Sequence, residues 1–383
     1  VKRQKQAAII GAGIGGLAAG IALQRIGWNV QIYERADRLS PLNHSFALLP
    51  TVVLALRKLQ IDDAVMKHGK KIREVVFRKR TGQMLSRFDF TPIEEETGIP
   101  ALSITRSRLQ EVLADGCGPG RVSFGKTLTG YEQKNESVVL TFADKEVVEY
   151  DLLVGADGID SRVRNILLDD GRPRYSGCNC WVGLSEPAFG LLPEQLTVET
   201  WGRGARFAAL HSSDQLLYWY FALNEQTPTI RAERGDKSEV LRYLRGWHEP
   251  IADIVASTPE EMITKIGIYD RKPARNWSFG HVTLLGDAAH PIAPNVGSGA
   301  GSSIEDAVAL ASSLESVGSI WAALKTYQGT RMPRARIAVQ RADRFASVGH
   351  SENSLAIWLR DKLMRGVSEE QSKKILRRYV DIP

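Results

Sequence analysis

Read for the alternation of apolar and polar positions, the first 35 residues fall into a strand, a tight turn, a helix and a second strand. Residues 7–10 are a short apolar run, followed by Gly11-Ala12-Gly13-Ile14-Gly15-Gly16. Residues 17–26 carry small and apolar side chains at helical spacing, and Asn29–Tyr33 reads as a strand ending at Glu34. Further on, the pattern predicts a helix over 51–59, strands between 74 and 90, and a helix over 106–114 opened by Thr105. Strands follow at 122–124 and 138–142, then a wholly apolar strand from Leu152. From about 173 to 275 the chain turns β-branched and aromatic, with Trp181, Trp201, Tyr218, Trp219 and Tyr220, as in an antiparallel sheet. The buried-strand pattern returns at 281–285, and a long helix starts near Ser302.

Each glycine of the first turn has a physical task. Gly11 permits the tight turn, Gly13 lets backbone approach a pyrophosphate, and Gly16 lets the helix pack close to the strand. The helix N-terminus then offers free N–H groups to phosphate. Glu34, 23 residues after Gly11, stands where a carboxylate accepts ribose hydroxyls. An acid there disfavours a 2′-phosphate, so this site takes FAD or NAD. The expected fold class is α/β: a Rossmann-like domain, an inserted antiparallel β-sheet substrate domain and C-terminal helices. Its expected segments are 1–73, 98–172 and 276–345 for the dinucleotide domain, 74–97 and 173–275 for the sheet domain, and 346–383 for the helical end.

Composition narrows the class. The formal charge is +6, yet residues 331–383 hold 12 basic and 6 acidic side chains, so the body is balanced. That excludes a nucleic-acid binder with a basic face spread over its fold. Three cysteines, Cys117, Cys178 and Cys180, make no disulfide framework, and Cys178 and Cys180 lack a second pair at zinc spacing. No metal is expected. Lys2, Arg3 and Lys5 before the uncharged run 7–23 mimic a leader, but the glycines and the strand that follows point to a cytoplasmic protein. No stretch reads as a transmembrane helix. Nothing supports metal hydrolysis or a serine nucleophile.

Two further motifs carry chemistry: Gly155-Ala156-Asp157-Gly158, continuing to Ser161 and Arg164, and Gly286-Asp287-Ala288-Ala289-His290-Pro291, continuing through Pro294 to Gly297-Ser298-Gly299-Ala300-Gly301. Asp287, at a strand end, suits sugar or ribityl hydroxyls. The glycines after it let a helix N-terminus approach an electron-rich group such as the N1/C2 edge of a reduced flavin.

The order GxGxxG, GADGxxSxxR, GDAxHxxxPxxG resembles the single-component FAD-dependent aromatic hydroxylases, the para-hydroxybenzoate hydroxylase-like family, over nearly the whole chain. Within it the chain looks nearest to urate and alkyl-quinolone hydroxylases. The resemblance implies that Gly11, Gly13, Ile14, Gly15, Gly16, Glu34 and Arg35 hold the ADP half of FAD, with Leu128 beside them. Arg106 would contact the phosphate or ribityl region, Asp157 the pyrophosphate, and Asp287 the ribityl chain. Pro294, Gly297, Ser298, Gly299, Ala300 and Gly301 would face the isoalloxazine. It further implies that NADH or NADPH reduces FAD as a transient visitor, and that O₂ adds at flavin C4a to give the hydroperoxide that hydroxylates a planar aromatic, N-heterocyclic substrate. An epoxidase, or a flavin-binding protein without oxygenase turnover, are the alternatives. The family pattern has Gly-Gln-Gly where this chain has Gly297-Ser298-Gly299, and other residues at Asn43-His44-Ser45 and Pro50-Thr51.

Three residues are catalytic candidates. Arg206 anchors substrate or is a strand arginine facing solvent. Tyr218 orients substrate or packs in a core. His44 is a base, a substrate contact, a flavin attachment point or a loop residue. His290 packs or caps rather than transferring protons. The expected assembly is a monomer or homodimer.

The basic excess lies in the C-terminal part. Arg331, Arg334, Arg336, Arg341 and Arg344 sit on or after the helix that follows the third motif, which Pro333 is expected to interrupt. In 354–367, Leu355, Trp358, Leu359 and Leu363 share one helical face, with Arg360, Lys362 and Arg365 off it. The preferred reading packs that stripe over the body and leaves the charges solvated. The alternative lays it on an anionic membrane.

Overall fold

The computed structural model describes residues 3–39, 44–213, 215–229, 232–293 and 299–377. Its first sheet has six strands in the order Ser278–Phe279, Val282–Leu284, Leu152–Gly155, Gln6–Ile10, Asn29–Tyr33, Val122–Ser123. All pairs are parallel except the terminal hairpin. The central strands are buried on both faces, which is why they read as unbroken apolar runs. The nucleotide helix Ile14–Arg25 packs against the third-motif helix Gly299–Ser316. A small sheet (Ser45–Leu48, Ala101–Thr105, Lys70–Ile72) lies beyond, followed by the helix Arg106–Cys117. Thr105 caps that helix as its sequence suggests, its hydroxyl accepting the Arg108 N–H.

The second large sheet has eight strands, ordered Ala232–Arg234, Ile263–Asp270, Arg174–Ser185, Leu217–Asn224, Ala205–His211, Leu196–Trp201, Glu74–Lys79, Met84–Asp89. It is antiparallel except where Leu196–Trp201 runs parallel to Glu74–Lys79. Strand alternation gives it two distinct faces. Trp181, Phe207, Trp219 and Phe221 pack under the helices Lys237–Tyr243 and Ile251–Ser257. Val182, Leu184, Leu210 and Tyr218 face the other way, toward Ala47, Leu49 and Ala101 of the small-sheet region. Cys178 and Cys180 are on this second face, within the strand expected of them.

The C-terminal region corrects three expectations. Pro333 does not interrupt its helix, which runs from Ile320 to Gly349. A proline forfeits one backbone bond and crowds the carbonyl four residues back. Here Arg331, two residues before the proline, pins the helix through ion pairs with Asp306 and Glu305. Arg331 is not a solvated tail charge either, because it is 2% exposed and held by Asp306 and Glu305. In the helix Ser354–Arg365 the apolar stripe faces solvent, and Arg360 and Asp361 form the buried face. Lys79, Trp201 and the Val348 carbonyl supply that face with polar and aromatic partners.

Candidate functional site

The first motif builds an anion cradle. Gly11 takes φ of +104°, and a Cβ there would meet the Ala156 carbonyl oxygen at 2.5 Å. A Cβ on Gly16 would overlap the Gly11 carbonyl oxygen, and one on Gly15 would strike Leu285. Gly13 differs: its position is open, and a Cβ added there would meet nothing within 4 Å. The nucleotide helix begins directly after it, at Ile14, and no side chain caps its N-terminus. Glu34 closes the cradle, one oxygen accepting Ala12 N–H at 2.8 Å and the other Ala36 N–H at 3.0 Å. Arg35 is exposed just beyond it. Leu128 is a buried core residue next to the segment in which Lys126 N–H bonds the Glu34 carbonyl.

The third motif supplies the opposite wall. Asp287 is open to solvent though flanked by protein on its other sides, as expected of a group lining a groove. Burial raises its pKa, and His290 and Arg106 only partly offset this. Gly299, Ala300 and Gly301 form the first turn of their helix, which starts three residues before the expected Ser302. A Cβ on Gly299 would lie 3.7 Å from the Asp287 carboxylate. Pro294, Gly297 and Ser298 lie outside the described residues, as does Asn43.

Arg106 stands at this corner. Its backbone N–H bonds the His44 carbonyl at 2.8 Å, and its guanidinium interacts with Asp287. Burial lowers its pKa, and its Nε is buried without a hydrogen-bond partner. A buried donor left unpaired costs about 1–3 kcal/mol, so this group suits an acceptor that the described residues do not supply. The His44 imidazole is pushed down to about 4 by burial and then by Arg106, which makes it neutral at pH 7. Ser45 Oγ bonds Ser212 Oγ at 2.7 Å, tying this segment to the end of the strand that carries Arg206.

Asp157 has a task that its motif alone did not reveal. It accepts the backbone N–H groups of Arg162 and Val163 at 2.7 and 3.2 Å, and the Ser161 hydroxyl. It thus caps the helix Arg162–Leu168. Arg164, at the end of the same motif, is wholly buried and donates to the carbonyls of Ala288 and Ala289 at 3.1 and 3.3 Å. Asp170 holds its other edge. The second motif therefore clamps the third. Asp306, fully buried, completes the frame by accepting from Gly286 N–H at 3.0 Å, His290 Nε2 at 2.6 Å and Arg331 Nε at 2.6 Å. Its carboxyl is held far below the usual range because His290 and Arg331 outweigh the burial penalty. Of the two roles expected of His290, it packs, against Trp277 at 5.3 Å, and its bond to Asp306 is not a helix cap.

An unpaired buried donor beside Asp287, an open glycine before an uncapped helix and a carboxylate at the next strand end together fit a flavin dinucleotide. A family model described as an FAD binding domain matches residues 4–342. The chain belongs to the para-hydroxybenzoate hydroxylase-like flavin monooxygenases. It is similar to the aurachin C monooxygenase/isomerase of Stigmatella aurantiaca, with 36% identity covering 97% of this chain and 96% of that protein. It is 30% identical to an FAD-dependent urate hydroxylase of Klebsiella pneumoniae, covering 98% of each. The crystal structure of Klebsiella pneumoniae HpxO complexed with FAD and uric acid superposes with a TM-score of 0.91 at 28% identity, covering 100% of this chain and 97% of that one. FAD is accordingly the cofactor of this flavin monooxygenase.

The monooxygenase places Arg206 and Tyr218 on neighbouring strands, on the face turned toward the His44 region. Arg206 does not face solvent, because it is 1% exposed. Its Nε donates to His350 Nε2 at 3.0 Å and its Nη1 to Glu199 at 3.1 Å, with the Phe345 ring 5.0 Å from the guanidinium carbon. Glu199 also accepts Trp201 Nε1–H at 2.7 Å. His350 is pushed down to about 3 by burial and then by Arg206, so it acts as an acceptor. Tyr218 sits among Cys180, Val182, Leu184 and Leu210, and burial lifts its phenol well above 10. Among the described residues nothing hydrogen-bonds its hydroxyl. Two surface hollows, of about 250 and 540 Å³, include none of Gly13, Asp287 or Tyr218, though the larger is lined by Thr105 and Ser107, which flank Arg106, and by Leu216.

Proposed function

We propose that this monooxygenase uses NAD(P)H and O₂ to hydroxylate a planar aromatic, N-heterocyclic small molecule. The observation that carries the reading is the Tyr218 hydroxyl, a neutral donor with no partner among the described residues, on an apolar sheet face that also carries Arg206. Such a wall receives a flat ring and orients it through one polar contact. Relatives named for urate and 6-hydroxynicotinate, both N-heterocycles, support the class.

FAD, when bound, supplies the electron transfer and oxygen activation. The chain's part is binding and orientation. The uncapped helix after Gly13 receives the pyrophosphate, Glu34 the ribose, Arg106 an acceptor of the cofactor, and Asp287 the ribityl hydroxyls. His44, neutral at pH 7, accepts a hydrogen bond from an acidic ring substituent. Glu199 and His350 hold the Arg206 guanidinium in place on the sheet face that carries Tyr218.

The test uses purified yellow holoprotein. NAD(P)H consumption stimulated by an N-heterocyclic phenol, with one ¹⁸O atom from ¹⁸O₂ in a ring-hydroxylated product, is the expected result. Label in an epoxide, or flavin inert to NAD(P)H across a broad aromatic set, overturns the reading.

A further inference from the structure

The helix Ser354–Arg365 is built with its faces reversed relative to ordinary packing. Leu355, Trp358, Leu359 and Leu363 are 72, 56, 49 and 65% exposed. At 100° per residue these four side chains fall within about 140° of arc, and Lys362, expected off that face, lies inside the arc instead. Arg360 and Asp361 occupy the opposite side and are buried. Asp361 bonds Arg360 and pairs with Lys79 at 3.1 Å, while the Arg360 guanidinium lies 5.1 Å from the Trp201 ring centre. Turning the stripe inward would break these contacts, so its outward setting is fixed by polar anchors. Asn353 caps the first turn, accepting the N–H groups of Leu355 and Ala356 at 2.9 and 3.1 Å. The outward face is therefore formed before any partner arrives.

We propose that this face docks the enzyme on an anionic lipid bilayer. Charge selects the occupant. Lys362 sits over the Trp358 ring at 5.2 Å, and Arg365 is exposed one turn from Asp361. The single acid of the helix, Asp361, is turned inward. The next helix adds outward Lys373 and Lys374 beside exposed Ile375, against one exposed acid among its described side chains, Glu370. An indole and leucines with cations among them, and no carboxylate on the helix's exposed face, match the boundary between lipid headgroups and acyl chains. A second copy matches poorly, since two-fold pairing of the stripe would bury Lys362 and its copy among apolar side chains without a carboxylate partner. No helix among the described residues is long and apolar enough to cross a membrane, so the contact is peripheral. The proposal does not depend on which aromatic the enzyme turns over.

Sedimentation of the full-length holoprotein with vesicles tests it, using phosphatidylcholine alone and phosphatidylcholine mixed with phosphatidylglycerol. The wild type is expected to sediment with the mixed vesicles, with a blue shift in tryptophan emission, and far less with the neutral ones. Each cation near an anionic leaflet contributes roughly fivefold to partition, so Lys362→Gln should weaken binding by about that factor. Trp358→Glu with Leu359→Glu should lose it, with flavin absorbance and thermal midpoint unchanged. Wild-type protein that ignores the mixed vesicles overturns the proposal. So does binding undiminished in both variants, or a concentration-dependent dimer that the double variant abolishes.

Discussion

Replacing Asp306 with Asn keeps the shape of the side chain and removes its charge from between Arg331 and His290. Arg331 then retains Glu305 and the Ser302 carbonyl but loses its buried partner, at a site 0% exposed. Removing one partner of a buried ion pair costs about 3–5 kcal/mol. If the 383-residue chain unfolds as one unit, unfolding entropy near 2.1 cal/mol/K per residue makes that about 4–6 °C in thermal midpoint. The pH profile provides a second readout. The folded pKa of His290 is raised: burial would lower it, and Asp306 more than reverses that. A raised folded pKa contributes stability that is full below the unfolded value, about 6.5, and is lost as pH rises through the folded value. For Asp306 itself, held low, the contribution is present above about 3.9 and is lost as pH falls through the folded value. Differential scanning calorimetry of the holoprotein from about pH 6 upward should show this decline in the wild type and its loss in Asp306→Asn. A midpoint within about 1 °C of wild type would refute the idea that this carboxylate holds the third motif, as would an unaltered pH slope.

Gly13→Val should leave the apoprotein's thermal midpoint unchanged, because its Cβ meets nothing, yet weaken FAD by at least about a hundredfold in fluorescence titration. Gly16→Ala, whose Cβ overlaps the Gly11 carbonyl, should instead lower the apoprotein midpoint. Arg106→Met removes a buried guanidinium with an unpaired Nε, so apoprotein stability should hold or rise while FAD affinity falls about tenfold or more. In the same variant the His44 pKa, measured by NMR, should move up from about 4 toward 6.5 as the Arg106 contribution disappears. Tyr218→Phe should keep stability within about 0.5 kcal/mol and raise KM more than it lowers kcat, an unchanged KM counting against a substrate contact.

The first motif was readable because its constraints are local. Gly11, Gly16 and Glu34 act on neighbours in the same strand–helix–strand unit, and the observed bounds differ from those expected by a few residues. The alternation of aromatic residues foretold the large sheet for the same reason. The clamps were not readable. Arg164 reaches Ala288 and Ala289, and Arg331 reaches back to Asp306, so each looks in sequence like one more surface cation. A signal existed in the shared spacing of Gly286, His290 and Asp306, but not in any one residue. The helix Ser354–Arg365 shows another limit. Periodicity located its stripe, but only the contacts of Arg360 and Asp361 decide which side turns inward.

The order of the parallel sheet bears on how the enzyme is made. Gln6–Ile10 leaves the ribosome first, yet one of its neighbours in the sheet is Leu152–Gly155, which in turn pairs with Val282–Leu284. Asp306 and Arg331, which lock the third motif, emerge later still. Until Leu152–Gly155 emerges, a nascent chain thus carries its glycine cradle beside an unpaired, largely apolar strand edge, the kind of surface that aggregates or recruits chaperones. Flavin can be held in its finished site only once Asp306 and Arg331 have emerged, so cofactor supply should govern the yield of mature enzyme after that point rather than before it.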